Sequence, residues 1–241
     1  LKALRHIEDK GVFSSALLGS IEDWRSEYHL TPQRHCLLRP LPLKSGDSVL
    51  ELGCGCGAIT RYLGERGLTV TAVEGGAVRA AIAAERCRDL PNVKVVLEDL
   101  ITFDSGERYD WVTLIGVLEY SPTFASGPDP VLAYLSQAVR YLKPGGRLVV
   151  AIENKLGLKY FNGCAEDHVG RPFFGVNGLY DGKSVVTFGR AELEQHLRDA
   201  GCRSVEFYYP FPDYKLPTAV ISDRAFSESG FHVADMLLRT D

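Results

Sequence analysis

Three glycines at alternate positions occupy the junction between a strand-like run and a helix-like run in VLELGCGCGAITRYL, residues 49–63. Gly53, Gly55 and Gly57 permit a sharp turn, and they let a ligand approach the backbone without meeting a Cβ atom. Read strictly, GCGCGA also satisfies the dinucleotide-binding fingerprint with alanine at its last position. The loop therefore predicts a nucleotide-cofactor site and leaves open whether the cofactor is a nicotinamide dinucleotide or S-adenosylmethionine.

Carboxylates stand beside this loop and at the ends of the next two predicted strands. Glu51 precedes the first glycine by two residues, and Glu74 ends the second strand, where a carboxylate can accept hydrogen bonds from both ribose hydroxyls. The third strand ends in Glu98-Asp99. Because both cofactor classes contain a ribose, these residues alone do not separate them.

The elements that position these side chains alternate from residue 46 onward. Short β-branched runs alternate with segments of helical period, which is typical of a parallel sheet covered by helices and predicts an α/β fold. Apolar residues at i, i+3 and i+4 give each predicted helix one stripe to pack on the sheet. The predicted strands are 48–52, 69–73, 93–97, 109–115, 147–152, 204–209 and 218–221.

The motifs that follow the glycine loop decide between the two cofactors. Glu98-Asp99, the run YDWVTLIGVLEY at 109–120 and LKPGG at 142–146 occur in order after the loop, and the series resembles the class I S-adenosylmethionine-dependent methyltransferases over residues 46–152. The resemblance implies a Rossmann-like, seven-stranded, mostly parallel sheet with helices on both faces and one antiparallel strand near its edge. We expect one methyltransferase domain over residues 1–241. Its parts would be an N-terminal helical cap (1–44), a cofactor-binding core (45–152), an acceptor-side insertion after the fifth strand (153–188), and the last helix with the C-terminal strands (189–241).

The resemblance also implies roles for single residues. It places Gly53 and Gly55 beside the methionine part of the cofactor, Glu74 on the ribose and Asp99 on the adenine amino group, with Leu100 flanking the adenine ring. The complete predicted cofactor set is Tyr28, Arg34, Glu51, Gly53, Gly55, Glu74, Asp99, Leu100 and Gly116.

The N-terminal segment supplies two members of that set. Tyr28 and Arg34 precede the first strand, and we expect the segment to help close the cofactor site. Arg34 would pair with the cofactor carboxylate, because a planar donor fork fits that group.

Two segments beyond the fifth strand are rich in aromatic and polar residues. Methyl transfer needs a nucleophile held in line with the sulfonium methyl group, so the acceptor has to lie above the carboxyl ends of the strands. KLGLKYFNGCAEDHVGRPFFG at 155–175 and YYPFPDYKLPTAV at 208–220 lead from those ends, and aromatic platforms with polar fork groups suit an acceptor rich in hydroxyls. The predicted substrate-binding residues are Asn154, Tyr160, Asp167, Tyr214 and Lys215.

Several phrases resemble the methyltransferase domains of bacterial surface-polysaccharide biosynthesis proteins of the O-antigen type. They are AIENKLGLKYF, EDH, TFGRAEL, PFPDYKLP and, upstream, YHLTPQRHCLLRPL. This resemblance implies an O-methyltransferase that acts on the hydroxyl of a glycan or a nucleotide-linked sugar. It also implies fusion to, or action with, a glycosyltransferase.

A sugar hydroxyl is a weak nucleophile, so a side chain that takes its proton would help the transfer. Histidine suits that task near neutral pH. His168 follows Glu166 and Asp167 in the insertion, where a neighbouring carboxylate would orient its ring, and it is the predicted general base. Glu153, at the end of the fifth strand, is the reserve candidate.

Three other functions compete with this one. The chain could be a small-molecule N- or O-methyltransferase of another pathway, or a cofactor-binding docking module of a larger glycan-assembly protein. On the glycine loop alone, it could also be a nicotinamide enzyme.

Composition excludes several classes of partner. The formal net charge is −4 with no run of lysines or arginines, so nucleic acid is not expected to bind. The apolar run at 111–118 is about half the length of a bilayer-spanning helix, so no membrane span is expected.

Six cysteines without a disulfide-framework pattern favour the cytoplasm. Cys54 and Cys56 lack a second pair at metal-site spacing, so we expect no metal.

Overall fold

The computed structural model describes residues 2–125, 127–232 and 235. Helices and strands alternate through the middle of the chain, as the periodicity predicts. The strands are β1 Ser48–Leu52, β2 Thr69–Glu74, β3 Val93–Leu97, β4 Tyr109–Ile115, β5 Leu142–Ala151, β6 Tyr208–Phe211 and β7 Ala219–Ser222. The helices are α1 Lys2–His6, α2 Ser15–Leu18, α3 Trp24–Leu30, α4 Ala58–Glu65, α5 Ala77–Arg86, α6 Ser121–Phe124, α7 Pro130–Arg140, α8 Leu158–Phe161 and α9 Arg190–Asp199. Three short 3₁₀ helices span Pro32–Leu38, Leu118–Tyr120 and Asp223–Ser227.

Five of these strands form a sheet in the order β3-β2-β1-β4-β5, which with the flanking helices is an α/β, Rossmann-like fold. The pairs β1–β2, β2–β3 and β4–β5 are parallel. Val49, Leu50 and Leu52 of β1 are buried, as expected for a strand covered on both faces. No helix among the described residues is long and apolar enough to cross a bilayer.

The expected seven-stranded sheet is wrong. β6 and β7 form a separate two-stranded antiparallel sheet, with Tyr209 opposite Ile221. Proline has no N–H to donate to a ladder, and β6 contains Pro210 and is followed directly by Pro212, which accounts for its shortness.

The fifth strand begins earlier than the predicted 147–152, inside the LKPGG motif. α7 ends at Arg140, and the motif is already the beginning of β5. The pairing register between β4 and β5 shifts between Tyr109 and Trp111, and Gly145 has φ +80°, so the motif forms an irregular strand start that glycine tolerates.

The chain divides into two compact units, one of residues 1–100 with 206–241 and one of residues 101–205. The single domain over 1–241 stays a prediction. In the first unit the N-terminal segment is helical, as expected, and α1 packs near α5. The Arg86 guanidinium donates to the carbonyl of His29, and the His35 ring stacks on Tyr62 of α4 with ring centroids 4.6 Å apart. The N-terminal segment is therefore anchored on α4 and α5.

In the second unit, the end of β4 lies next to the end of β5, and β5 leads into the predicted insertion. β4 is followed by Gly116, whose N–H donates to the carbonyl of Ala151 at the end of β5 (2.9 Å). Residues 153–188 are mostly irregular, with α8 and isolated bridges from Asn154 to Phe188 and from Ala165 to Pro172. The first bridge joins the two ends of the segment, so the segment leaves and returns at one place beside β5.

Gly57 should be the least replaceable glycine of the loop. It has φ +76°, and a Cβ there would meet Cα and Cβ of Ala83 in α5 at 2.9 and 3.0 Å. We expect Gly57→Ala to lower the free energy of unfolding in urea by about 2–4 kcal/mol, since it combines backbone strain with overpacking. Gly46→Ala is the matched control, because Gly46 has φ +90° but open space around its Cβ position, and should lose about 1 kcal/mol. Equal losses in both variants would contradict the close helix approach.

Candidate functional site

The glycine loop is tied to the end of β2. The N–H groups of Gly53 and Cys54 both donate to the carbonyl of Val73, at 2.9 and 3.0 Å. Gly53, Gly55 and Gly57 all have positive φ, at 81°, 55° and 76°, and α4 begins directly after them. The predicted sharp turn from strand to helix is therefore confirmed, and it needs glycine for its backbone conformation.

Glu74 holds this loop and the next one together. One of its carboxylate oxygens accepts the N–H of Gly55 at 2.9 Å, and the other accepts the N–H of Gly76 at 2.8 Å. Arg79 also donates to that second oxygen, from Nε at 2.9 Å and from Nη2 at 2.6 Å. Sequence reasoning did not single out Arg79. A ribose bound at Glu74 would share the carboxylate with this exposed guanidinium or displace it.

Glu51 lies inside β1 and is buried. Its Oε2 accepts a hydrogen bond from Oγ1 of Thr60 at 2.7 Å. Burial raises the pKa of Glu51 to about 7, and the opposing effects of Thr60 and of the Arg34 charge do not cancel the burial effect. Glu51 is therefore a carboxyl group that titrates near neutral pH within the predicted cofactor set.

Four predicted residues from two distant segments meet around Arg34. The guanidinium is buried, and its Nη1 donates to the carbonyls of Tyr214 at 3.2 Å and Lys215 at 3.1 Å. Its carbon lies over the rings of Tyr28 and Tyr214, 4.6 and 5.8 Å from their centroids. The sequence assigned Tyr28 and Arg34 to the cofactor and Tyr214 and Lys215 to the acceptor, whereas the structure joins them in one cluster. The pairing of Arg34 with a cofactor carboxylate stays a prediction.

The remaining predicted cofactor residues follow strand ends. Asp99 and Leu100 lie just after β3, with Asp99 exposed and Leu100 half-buried. Gly116 follows β4 with φ +68°. Their contacts to adenine or methionine stay predictions.

In the second unit, three ionisable side chains from separate segments converge. Glu119 lies in the 3₁₀ helix after β4, Glu153 follows β5, and His168 lies in the irregular segment. The two carboxylate residues are 2% and 3% exposed, and the His168 side chain is 10% exposed. The His168 Nε2 atom lies 3.9 Å from Oε1 of Glu119 and 4.0 Å from Oε2 of Glu153.

Glu166 fixes the orientation of the His168 ring. Its Oε1 lies 3.0 Å from Nδ1 of His168, and its Oε2 accepts the N–H groups of His168 and Val169 at 2.8 and 2.6 Å. Tyr180 donates its hydroxyl to Oε1 at 3.2 Å. Burial by itself raises the pKa of Glu166, but the hydrogen bonds outweigh it and the pKa is lowered overall. Since an ionised carboxylate only accepts, Nδ1 is the donor in its contact with Glu166, and Nε2 is the ring nitrogen nearest Glu119 and Glu153.

The predicted substrate-binding residues of this unit have protein partners. The Tyr160 hydroxyl donates to Asp167, and Nζ of Lys159 lies 2.9 Å from the same carboxylate. Burial and the Asp167 carboxylate raise the pKa of Tyr160, which keeps its hydroxyl protonated. Oδ1 of the exposed Asn154 accepts the N–H of Leu156 at 3.0 Å. The contact of these residues with an acceptor stays a prediction.

Glu119 is the residue that sequence reasoning missed. It lies within the motif GVLEY that follows β4, so the signal was present as a polar residue just after a strand end.

The expectation of no metal rested on the spacing of possible ligands within short segments. One oxygen of each of Glu119 and Glu153 and one ring nitrogen of His168 lie within 4.8 Å of one another, so a set of possible metal ligands does exist, spread along the chain from residue 119 to residue 168.

The chain is similar to methyltransferases in the comparisons with known proteins. Residues 50–148 match the model of a family described as a methyltransferase domain. Pavine N-methyltransferase of Thalictrum flavum subsp. glaucum is 28% identical over 99 residues, which cover 39% of this chain and 28% of that protein. The ubiquinone biosynthesis O-methyltransferase of Pseudomonas entomophila (strain L48) is 30% identical over 115 residues, which cover 46% of each protein. The chain thus spans less than half the length of these curated relatives.

A solved structure shares the fold. Phosphoethanolamine N-methyltransferase 2 of Haemonchus contortus, in complex with phosphomonomethylethanolamine and S-adenosylhomocysteine, has a TM-score of 0.55 at 18% identity, covering 74% of this chain and 38% of that one. This likeness shows the fold, and the family match over residues 50–148 confirms the predictions of a methyltransferase domain and of its cofactor, S-adenosylmethionine. The identity of the acceptor is a separate question.

Glu74→Ala should weaken the binding of S-adenosylhomocysteine by about 1.5–3 kcal/mol, the range for losing hydrogen bonds to a charged group. The loop would also lose its tie from Gly55 to the end of β2. Calorimetry of the variant beside Glu107→Ala, a change of an exposed carboxylate, measures the effect. Unchanged affinity in a folded Glu74→Ala protein would remove Glu74 from the ribose role.

Glu51 should make stability depend on pH. Its pKa rises from an ordinary 4.5 to about 7 on folding, so its contribution is fully present below about pH 4.5 and is lost as the pH rises through about 7. Glu51→Gln removes the titration and can still accept from Thr60. Relative to the unmodified protein, the variant should gain about 2.5 kcal/mol in free energy of unfolding between pH 5 and pH 8.5. The same difference at both pH values in urea titrations would show that Glu51 is ionised in both states.

Proposed function

We propose that the protein transfers the methyl group of S-adenosylmethionine to a hydroxyl of a sugar during the biosynthesis of a bacterial surface glycan. The observation that carries this proposal is the buried set of Glu119, Glu153 and His168, with Glu166 holding the imidazole. The glycine loop and Glu74 would serve the cofactor, and this set would serve the acceptor.

The chemistry of the set favours a hydroxyl over an amine. A protonated amine has no lone pair to attack a methyl group, and buried carboxylates stabilise the protonated form. A hydroxyl instead has to lose its proton as the bond forms, and a set of basic groups assists that loss. In the reaction, the hydroxyl oxygen bonds to the methyl carbon, the carbon–sulfur bond breaks, and its electron pair stays on sulfur as S-adenosylhomocysteine is formed.

The sugar assignment is supported by the second unit. The motifs AIENKLGLKYF and EDH, which resemble those of surface-polysaccharide methyltransferase domains, fold into the segment that contains His168, Tyr160 and Asp167. Tyrosine rings and carboxylates are side chains that stack on sugar rings and accept from hydroxyls. We further propose that the acceptor is a glycan or a nucleotide-linked sugar, handled together with a glycosyltransferase. All six cysteines are free, which supports a reducing cytoplasm as the location.

Two other functions remain as candidates from the relatives and from the fold. The names of the similar proteins include both N- and O-methyltransferases, which supports a small-molecule methyltransferase of another pathway as the second choice. A docking module that binds the cofactor without turnover is the third. Incubation with labelled S-adenosylmethionine and parallel panels of sugars, nucleotide-linked sugars and amines distinguishes them. A methylated sugar supports the proposal, whereas a methylated amine, or tight cofactor binding without any product, contradicts it.

His168→Ala should lower kcat by about 10²–10⁴ while the affinity for S-adenosylhomocysteine changes little, as expected when activation of the hydroxyl is lost. His232→Ala is the matched control, because His232 is exposed. Steady-state kinetics with the sugar found by the screen measures kcat. A near-normal kcat in His168→Ala would remove the residue from the chemistry and direct attention to Glu153.

A further inference from the structure

We propose that Glu119, Glu153 and His168 bind a divalent metal ion. Two carboxylate oxygens and one imidazole nitrogen form the ligand set, all within 4.8 Å of one another. This inference deepens the proposed function and rests on it only for the role that the ion would have in catalysis. It replaces the sequence-based expectation of a metal-free site.

The distances between the ligand atoms suit a shared ion. At metal–ligand distances of roughly 2.1 Å, two ligand atoms stand about 3.0 Å apart when they are adjacent and about 4.2 Å apart when they are opposite. The His168 Nε2 atom lies 3.9 and 4.0 Å from the oxygens of Glu119 and Glu153, which is inside that interval. One ion can therefore contact all three atoms after small side-chain rotations.

The environment of His168 resembles the support that proteins give to a metal-bound histidine. Such a histidine commonly donates its second ring N–H to a carboxylate, which fixes the tautomer and the ring orientation. Glu166 supplies that carboxylate at Nδ1, at 3.0 Å, and is itself held by two backbone N–H groups and by Tyr180. Nδ1 is thus occupied, and Nε2 is the nitrogen that faces the two glutamates.

Burial separates this set from the exposed acidic clusters that are common on protein surfaces. Glu119 and Glu153 are 2% and 3% exposed, and Glu166, beside the same imidazole, is 3% exposed. Three carboxylates around one ring place negative charge in a medium that solvates it poorly, and a divalent cation offsets that charge. Carboxylates suit Mg²⁺ and Mn²⁺, whereas imidazole suits transition metals, so Mn²⁺ is one ion that fits both ligand types and serves as the probe.

In the proposed reaction, the ion would activate the acceptor hydroxyl by coordinating its oxygen. Three protein ligands leave coordination positions for oxygens of the acceptor, and neighbouring hydroxyls of a sugar are suitable hard ligands. Coordination lowers the pKa of a bound hydroxyl, so its proton can leave to water before or as the oxygen attacks the methyl carbon. His168 would then act as a ligand rather than as the general base.

The test measures metal binding without any acceptor or turnover. The protein is stripped of metal with a chelator, the chelator is removed, and Mn²⁺ is titrated while free Mn²⁺ is followed by electron paramagnetic resonance. We expect one bound Mn²⁺ per chain, at least tenfold weaker binding in Glu119→Gln and in Glu153→Gln, and about 10–100-fold weaker binding in Glu166→Gln through the loss of support to His168. Glu194→Gln, which changes a surface ion pair with Arg198, should bind Mn²⁺ like the unmodified protein.

Two results would overturn the proposal. One is the failure of the folded, unmodified protein to bind Mn²⁺ at millimolar concentration, a measurement that does not depend on any variant. The other is unchanged binding in both Glu119→Gln and Glu153→Gln. A methyl-transfer assay separates this inference from the proposed function. Full-rate methylation of a sugar in excess chelator rejects the catalytic role of the ion alone, while Mn²⁺ binding with no methylated sugar rejects the function alone.

Discussion

The cost of burying carboxylates is the constraint on which the site depends. Each unit contains buried glutamates within or just beyond its parallel strands, and a buried charge is tolerated only where donors or cations stabilise it. Glu74 is stabilised by two backbone N–H groups and Arg79, and it thereby fixes the glycine loop. Glu51 has one hydroxyl donor and a raised pKa instead. The same requirement in the second unit accounts for the ordered position of His168 against Glu166.

This constraint also relates the fold to the chemistry. Strand ends bring together residues that are distant in sequence, so Glu119 after β4 and Glu153 after β5 lie close because β4 and β5 are parallel neighbours. The irregular segment 153–188 leaves and returns beside β5 through the Asn154–Phe188 bridge, and it carries His168 to the same place. The convergence of three ionisable side chains thus follows from strand pairing and one closed loop.

Much of the fold could be predicted from residue types, and the exceptions have physical causes. β1 to β4 matched their predicted positions closely, because each is an apolar, β-branched run bounded by turn residues. The separation of β6 and β7 from the main sheet could not be predicted from their apolar pattern, since pairing partners depend on which backbone N–H groups remain available beside prolines. The position of Glu74 beside the glycine loop could be predicted, because it ends a strand next to that loop. Glu119 and the cluster of Arg34 with Tyr214 depend on long-range contacts that local spacing does not encode.

The identity of the acceptor is the central claim, and one measurement tests it most directly. The protein is incubated with S-adenosylmethionine carrying an isotope-labelled methyl group and a panel of sugars and nucleotide-linked sugars, and each acceptor is analysed by mass spectrometry. The account predicts a labelled methyl ether on a sugar hydroxyl, formed by the unmodified protein and strongly reduced in His168→Ala. Labelled methyl on an amine, or S-adenosylmethionine bound tightly without any methylated sugar, would contradict it.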